Sequence, residues 1–212
     1  MKFRSIAVEG PIGVGKTSFV ELLARKTEAQ KLLEKIDNPF LRDFYQDKQG
    51  AAFQAQLFFL LSRYRQLMDL GQRDLFHQVS LCDYIFPKDK IFAYLNLDDS
   101  ELLIYDKLYA MLESQVPKPD LVIFLQAETA RLVERIKRRR RDYEAEISEA
   151  YVNEVNKAYN YFFFHYTQTP LLVIDTTEID FVHHEEHLDE LIEQIRKMDR
   201  GVQYYRPLGT AP

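Results

Sequence analysis

The 212-residue chain predicts an α/β fold: one parallel sheet of five strands with helices packed on both faces. Three observations lead there. Five short apolar segments of strand length recur along the chain. Longer stretches between them carry apolar residues at helical spacing, and such crossovers make the strands they join parallel. The first strand-to-helix junction is a glycine-rich turn. With 46% hydrophobic and 29% charged residues, the chain has enough core-forming material for a single domain over residues 1–200.

Taken in order, "FRSIAVE" (3–9) is the first strand, and "GPIGVGKT" (10–17) runs from it into a helix over 16–29. "KLLEKI" (31–36) reads as a second strand, although it has the composition of a helix tail as well. "NPF" then breaks the chain before a long apolar helix at 51–70, "AAFQAQLFFLLSRYRQLMDL". "QVSLCDY" (78–84) is the third strand, followed by a helix at 99–116, and "PKPD" punctuates the approach to the fourth strand, "DLVIFLQ" (120–126). Helical spacing returns at 127–140 and 148–166, "LLVIDT" (171–176) is the fifth strand, and 184–199 is the last helix. The tail "GVQYYRPLGTAP" (201–212) has no periodicity and is expected to be mobile.

Composition narrows the function classes. A formal charge of -5 and a pI near 5.6 disfavour an extended surface for a nucleic-acid polymer. The single cysteine, Cys82, is expected to be a small core residue of a chain in a reducing, cytoplasmic compartment. "MKFRSIAVEG" lacks the apolar run of a signal peptide, and no stretch approaches a membrane span, so no membrane partner is expected. Against this acidic background, "RIKRRRRD" (135–142) stands out with six positive side chains in eight positions. It reads as a nucleic-acid patch, a solvated helix face or a clamp for a small polyanion.

The glycine turn helps to choose. Gly10, Gly13, Gly15, Lys16 and Thr17 complete the pattern G-x-x-x-x-G-K-[ST] between a strand and a helix. Glycines let backbone N–H groups surround phosphates, the helix N-terminus adds partial positive charge, and Ser18 continues into the helix. Lys16 reaches the terminal phosphates, and the Thr17 hydroxyl suits Mg²⁺. This is a site for ATP or another nucleoside triphosphate. No N-K-x-D segment is present, which disfavours a GTPase, and Asp83 stands at the carboxyl end of a strand, where open sheets place ligands. Arg135 and Arg139 lie one helical turn apart, with Arg141 just beyond. Arginines there suit a flap that closes over transferring phosphates and excludes water, so the clamp is preferred. On the helix at 51–70, Gln56 and Arg63 share a face two turns apart, able to read a nucleobase edge or to mark the polar edge of a packed helix.

Across residues 3–198 the sequence resembles the deoxynucleoside kinase family, particularly its bacterial deoxyadenosine/deoxyguanosine kinase branch. The resemblance is carried by "IAVEGPIGVGKTS", "NPFLRDFY", "FQAQLFFLLSRYRQ", "DYIFPKDKIFAYLNL", "PDLVIFLQ", the arginine knot and "TPLLVIDTTEIDFV". It implies a P-loop kinase fold with an arginine-rich lid, ATP and Mg²⁺ as cofactors, and a homodimer joined through helices. By position it implies Glu34 as general base for the acceptor's 5′-hydroxyl, with Asp37 as the alternative. Gln56 and Asp89 would read the base with Arg63 beside them, and Tyr45 and Glu144 would hold the sugar 3′-hydroxyl. Asp83 would sit near Mg²⁺, Arg135, Arg139 and Arg141 would form the lid, and Asp180–Phe181 would border the donor adenine.

One position departs from the family pattern. Tyr84 stands where many members carry an arginine that steadies the base carboxylate, leaving Arg42 and Lys88 as candidates to replace it. The same tyrosine disfavours the nearest rival, a nucleoside monophosphate kinase of thymidylate kinase type, which needs a cation there for the acceptor's phosphate. A non-enzymic rival is a regulatory switch that uses ATP only to order the lid. His183, His184 and His187 read as a solvated helix start rather than a metal site. The expected activity is ATP-dependent phosphorylation of a deoxynucleoside, a purine preferred, in nucleotide salvage.

Overall fold

The computed structural model describes residues 2–35, 37–46, 48–73, 79–139 and 147–207. Along them run β1 (Ser5–Glu9), α1 (Lys16–Thr27), β2 (Gln30–Leu32), α2 (Leu41–Tyr45), α3 (Ala51–Arg73), β3 (Ser80–Cys82) and α4 (Lys88–Asn96). Then come α5 (Asp99–Glu113), β4 (Leu121–Gln126), α6 (Thr129–Arg139), α7 (Glu149–Phe164), β5 (Leu171–Asp175), α8 (Glu185–Lys197) and β6 (Val202–Tyr205). The strands form one parallel sheet in the order β2-β3-β1-β4-β5-β6. β1 is central, with Ala7 registered against Cys82 of β3 and Val122 of β4.

Alternation along the strands feeds two cores. Ile6, Val8, Ile123 and Leu125 face Phe19, Leu132, Leu188 and Leu191 of α1, α6 and α8. Ala7, Cys82, Val122 and Phe124 face Leu60, Tyr105, Tyr159 and Phe163 of α3, α5 and α7. Because both faces are covered, the strands read as continuous apolar runs, which is why four of them were plain in the sequence. The helix starts are set locally: Asp98 accepts from the backbone N–H of Ser100 and Glu101 in a capping box, and Ser148 accepts from Tyr151 N–H.

Three expectations change. The sheet has six strands, not five: β6 pairs with β5 within the stretch expected to be a mobile tail. Val202, Gln203 and Tyr204 are all exposed on this edge strand, so no apolar alternation marked it. α4 was not anticipated either, because Lys88 and Asp89 occupy buried positions of its first turn and conceal its apolar stripe. "KLLEKI" contributes only its first residues to β2, so Glu34 lies in the loop beyond the strand.

Candidate active site

The carboxyl ends of β1 and β3 open onto a cavity of about 520 Å³. Its first wall is the glycine turn. A Cβ at Gly10 would lie 2.3 Å from the Leu125 carbonyl oxygen, so only glycine lets the turn press against β4. Gly13 has φ 87°, and a Cβ there would meet the Leu132 carbonyl oxygen of α6 at 2.8 Å. α1 starts at Lys16, with its N–H groups directed into the turn. Lys16 Nζ donates to the carbonyl oxygens of Gly10 (2.6 Å) and Pro11 (3.3 Å). Burial first, and then neighbouring Lys88, lower its pKa to about 8.

Thr17 Oγ1 donates to Asp83 Oδ2 at 2.7 Å, and Asp83 Oδ1 accepts from Glu34 N–H at 2.6 Å. A hydroxyl and a carboxylate at the edge of a phosphate cradle are hard oxygen donors of the kind Mg²⁺ takes together with phosphate oxygens and water. The residues therefore fit that ion. Among the described residues, no group of three or more His, Cys, Asp or Glu side chains is arranged to hold a metal unaided.

The facing wall is a buried charge network. Glu34 Oε1 accepts from Arg63 Nε at 2.8 Å and also from Nη2, while Oε2 accepts from Lys88 Nζ at 2.6 Å. Arg63 Nη1 donates to Asp89, and its guanidinium lies 4.7 Å from the centre of the Phe59 ring. Burial alone would raise the Glu34 pKa, but Arg63 and Lys88 overcome it and hold the carboxyl well below the usual range. Burial pushes Asp89 up to about 6 despite Arg63, and its Oδ2 has no hydrogen-bond partner among the described residues. Removing one member would strand a buried charge, a loss of about 3–5 kcal/mol in comparable pairs.

Tyr45, Gln56 and Arg139 line this cavity with Lys16, Thr17, Ser18, Glu34, Arg63 and Asp83. Gln56 and Arg63 are both buried, so their shared face points inward rather than along a solvent edge. Asp37 is exposed, which leaves Glu34 as the carboxylate of that loop in the cavity. Asp89 lies behind Arg63 rather than on the cavity wall.

The arginines separate. Arg139 lines the cavity, whereas Arg135 turns back, its Nη2 donating to the carbonyl oxygens of Thr176 (2.7 Å) and Ile179 (3.2 Å). In this conformation Arg135 ties α6 to the segment after β5. Arg141 and Glu144 lie outside the described residues. Phe181 is buried edge-on against Phe19 at 5.3 Å, and Asp180 caps the turn beyond it by accepting from Val182 and His183 N–H. Neither lines the main cavity. Nor is His187 solvated as expected: it is buried, with Nδ1 accepting from Asp180 N–H.

Two contributors went unassigned in the sequence. Glu9, wholly buried, accepts from the N–H groups of Gly10 (2.9 Å) and Ile85 (3.1 Å) and from the hydroxyl of the cavity-lining Tyr159 (3.2 Å), tying the end of β1 to the segment after β3 and to α7. A charged residue closing an apolar strand was the available signal. Tyr159, one turn of α7 above the core residue Phe163, had none.

Four similarities to known proteins bear on this site. The pattern of the family described as "Deoxynucleoside kinase" matches residues 6–199. The chain is 36% identical over 156 residues to deoxyguanosine kinase of Bacillus subtilis, covering 73% of this chain and 75% of that protein. It is 28% identical over 201 residues to the deoxyadenosine/deoxycytidine kinase of the same organism, covering 90% of each. Among solved structures, deoxyadenosine kinase from M. mycoides with bound dATP superposes with a TM-score of 0.77 at 25% identity, covering 90% of this chain and 98% of that one.

Proposed function

The chain belongs to the deoxynucleoside kinase family, and from that premise we propose how its cavity transfers the γ-phosphoryl group of ATP to the 5′-hydroxyl of a purine deoxynucleoside. One observation carries the reading: the carboxylate of Glu34, gripped on both oxygens, faces the phosphate cradle of Lys16 and Thr17 across a single cavity. Such an arrangement would let donor and acceptor meet in line, and positioning is most of what phosphoryl transfer asks of a protein.

Backbone N–H groups of the turn and Lys16 bind the β- and γ-phosphates. Thr17 and Asp83 would hold Mg²⁺, which supplies charge neutralisation on the phosphates when bound. Glu34 accepts the 5′-hydroxyl proton as the new O–P bond forms, the bond from the γ-phosphorus to the bridging oxygen breaks, and ADP leaves. Its depressed basicity suits a transition state in which bond formation is late, because the carboxylate serves first to orient the hydroxyl. Arg139 closes over the phosphates from α6. Gln56 reads the base edge, Tyr45 packs beside the deoxyribose, and Arg63 anchored on Asp89 fixes the floor between them. Arg135 and Asp180–Phe181 support the phosphate side by packing.

The purine assignment draws on relatives named for deoxyguanosine and deoxyadenosine, and on polar groups suited to a purine edge. A homodimer is supported by Ile104, Leu108 and Met111, an exposed apolar stripe on α5 beside α3. ATP use and a lone buried cysteine support a cytoplasmic, salvage role. Among the described residues no helix is long and apolar enough to cross a membrane. The test is ADP release with ATP and each of the four deoxynucleosides. Deoxyguanosine or deoxyadenosine should be the best acceptor. Thymidine as the best acceptor would overturn the purine assignment, and ADP release dependent only on a deoxynucleoside monophosphate would overturn the reading itself.

A further inference from the structure

We propose that Lys88 is a positioning residue for phosphoryl transfer, its ammonium holding Glu34 Oε2 in the orientation that receives the 5′-hydroxyl. This rests on the reading above, in which Glu34 is the acceptor-side carboxylate. The family resemblance would place a cation at position 84, but Tyr84 is wholly buried there and its hydroxyl donates to Gln66 Oε1 at 3.4 Å. Gln66 in turn donates to the Leu33 carbonyl oxygen at 3.2 Å, so Tyr84 braces the backbone next to Glu34 without supplying charge. Arg42, the other candidate, is exposed on α2. Lys88 enters from the first turn of α4 and reaches Glu34 Oε2 at 2.6 Å, its side chain only 5% exposed.

Its placement is costly in two ways. A lysine at a helix N-terminus opposes the helix dipole, and a buried ammonium forfeits hydration that an ion pair only partly returns. Replacing the whole Glu34–Lys88 pair with apolar side chains would cost little stability, so stability alone gives little reason to keep the pair. Arg63 and Lys88 also divide the work. Arg63 is fixed between two carboxylates and the Phe59 ring, so it anchors Oε1. Lys88 is a point donor on Oε2, an oxygen whose second lone pair is available to a hydroxyl. Loss of Lys88 would leave the carboxylate pinned at one oxygen and free to rotate the other away from the reacting hydroxyl, an effect on kcat more than on acceptor binding.

The experiment compares Lys88→Met, Lys88→Arg, Glu34→Gln and the double variant Glu34→Gln/Lys88→Met, with ATP and the best deoxynucleoside of the wild type. Lys88→Met should lower kcat by about tenfold or more while acceptor KM changes by less than about threefold, and Lys88→Arg should recover most of the loss. In the Glu34→Gln background, Lys88→Met should change kcat by less than about threefold, because residues that act as a unit are not additive. An equal, additive loss in both backgrounds, an unchanged kcat in Lys88→Met, or Lys88→Arg as weak as Lys88→Met would overturn the proposal. Circular dichroism checks folding. Should Lys88→Met be unfolded, Lys88→Gln replaces it, and failure of both neutral variants to fold would make Lys88 structural and sink the assignment. A wild-type protein inactive with every deoxynucleoside would instead count against the proposed function.

Discussion

In the proposed division of the cavity, the donor half rests mainly on one continuous stretch, Gly10 to Ser18, joined by Asp83 and Arg139, and works largely through backbone geometry. The acceptor half is made of side chains brought together from the loop after β2, α3 and α4, with Glu34 separated from Arg63 by 29 residues and from Lys88 by 54. A backbone cradle needs glycines at fixed spacing and so writes itself into the sequence as a motif. A side-chain network needs only that charges meet after folding, and each member alone resembles an ordinary surface residue. The two halves should therefore fail differently: loss of a donor-side group removes transition-state charge stabilisation, while loss of an acceptor-side group alters selectivity and positioning.

The largest effect is expected at Lys16. Lys16→Ala should keep the far-UV circular dichroism of the wild type and lose about a thousandfold in kcat for ADP release, the scale of removing one preorganised charge from a transferring group. A folded variant with near-normal kcat would break the donor half of the comparison. Gln56→Ala comes next, with kcat/KM for the best deoxynucleoside reduced by about ten- to a hundredfold, the loss of one or two hydrogen bonds to a desolvated base. ATP KM should be unaltered, and a rise in ATP KM with no acceptor effect would erase the division between halves.

The two arginines of α6 sharpen the contrast further. Arg139→Ala should lower kcat about tenfold with little change in melting temperature, as expected of the proposed phosphate contact, which would tighten in the transition state. Arg135→Ala should lower the melting temperature, by the equivalent of about 1–3 kcal/mol, because it leaves buried carbonyl oxygens of Thr176 and Ile179 without their donor. The reverse pattern would mean that Arg135 is the one that swings onto the phosphates. The smallest effect is a pH dependence. Burial raises the Asp89 pKa to about 6, so the group is ionised above that pH and neutral below it. As pH falls through that value, Arg63 loses its ionic anchor and kcat/KM for the acceptor should fall, by about half at the pKa itself. In Asp89→Asn this acid limb should be absent; its persistence would assign the titration to another group.

These residues also show what the sequence made legible. The parallel sheet, four of its strands and the phosphate cradle were readable because burial on both faces and glycine spacing are local signals. β6 was not, because an exposed edge strand has no buried face to impose alternation. Lys88 was visible only as one of two substitutes for a missing arginine, and its contact with Glu34 depends on where α4 begins, in a segment whose buried charges conceal its helical period. Arg135 and Arg139 looked equivalent at one turn's separation. They differ because α6 lies against the Thr176–Ile179 segment on one side and the cavity on the other. Periodicity assigns a face; only packing assigns a partner.

The central claim is that Glu34 is the acceptor-side carboxylate, facing the cradle of Lys16 and Thr17. Glu34→Gln tests it most directly, because the amide keeps the side chain's shape while removing its charge and most of its capacity to take a proton. With ATP and the best deoxynucleoside, kcat should fall by about a hundredfold or more while ATP KM stays within about twofold. A folded Glu34→Gln protein that turns over at the wild-type rate would contradict the account.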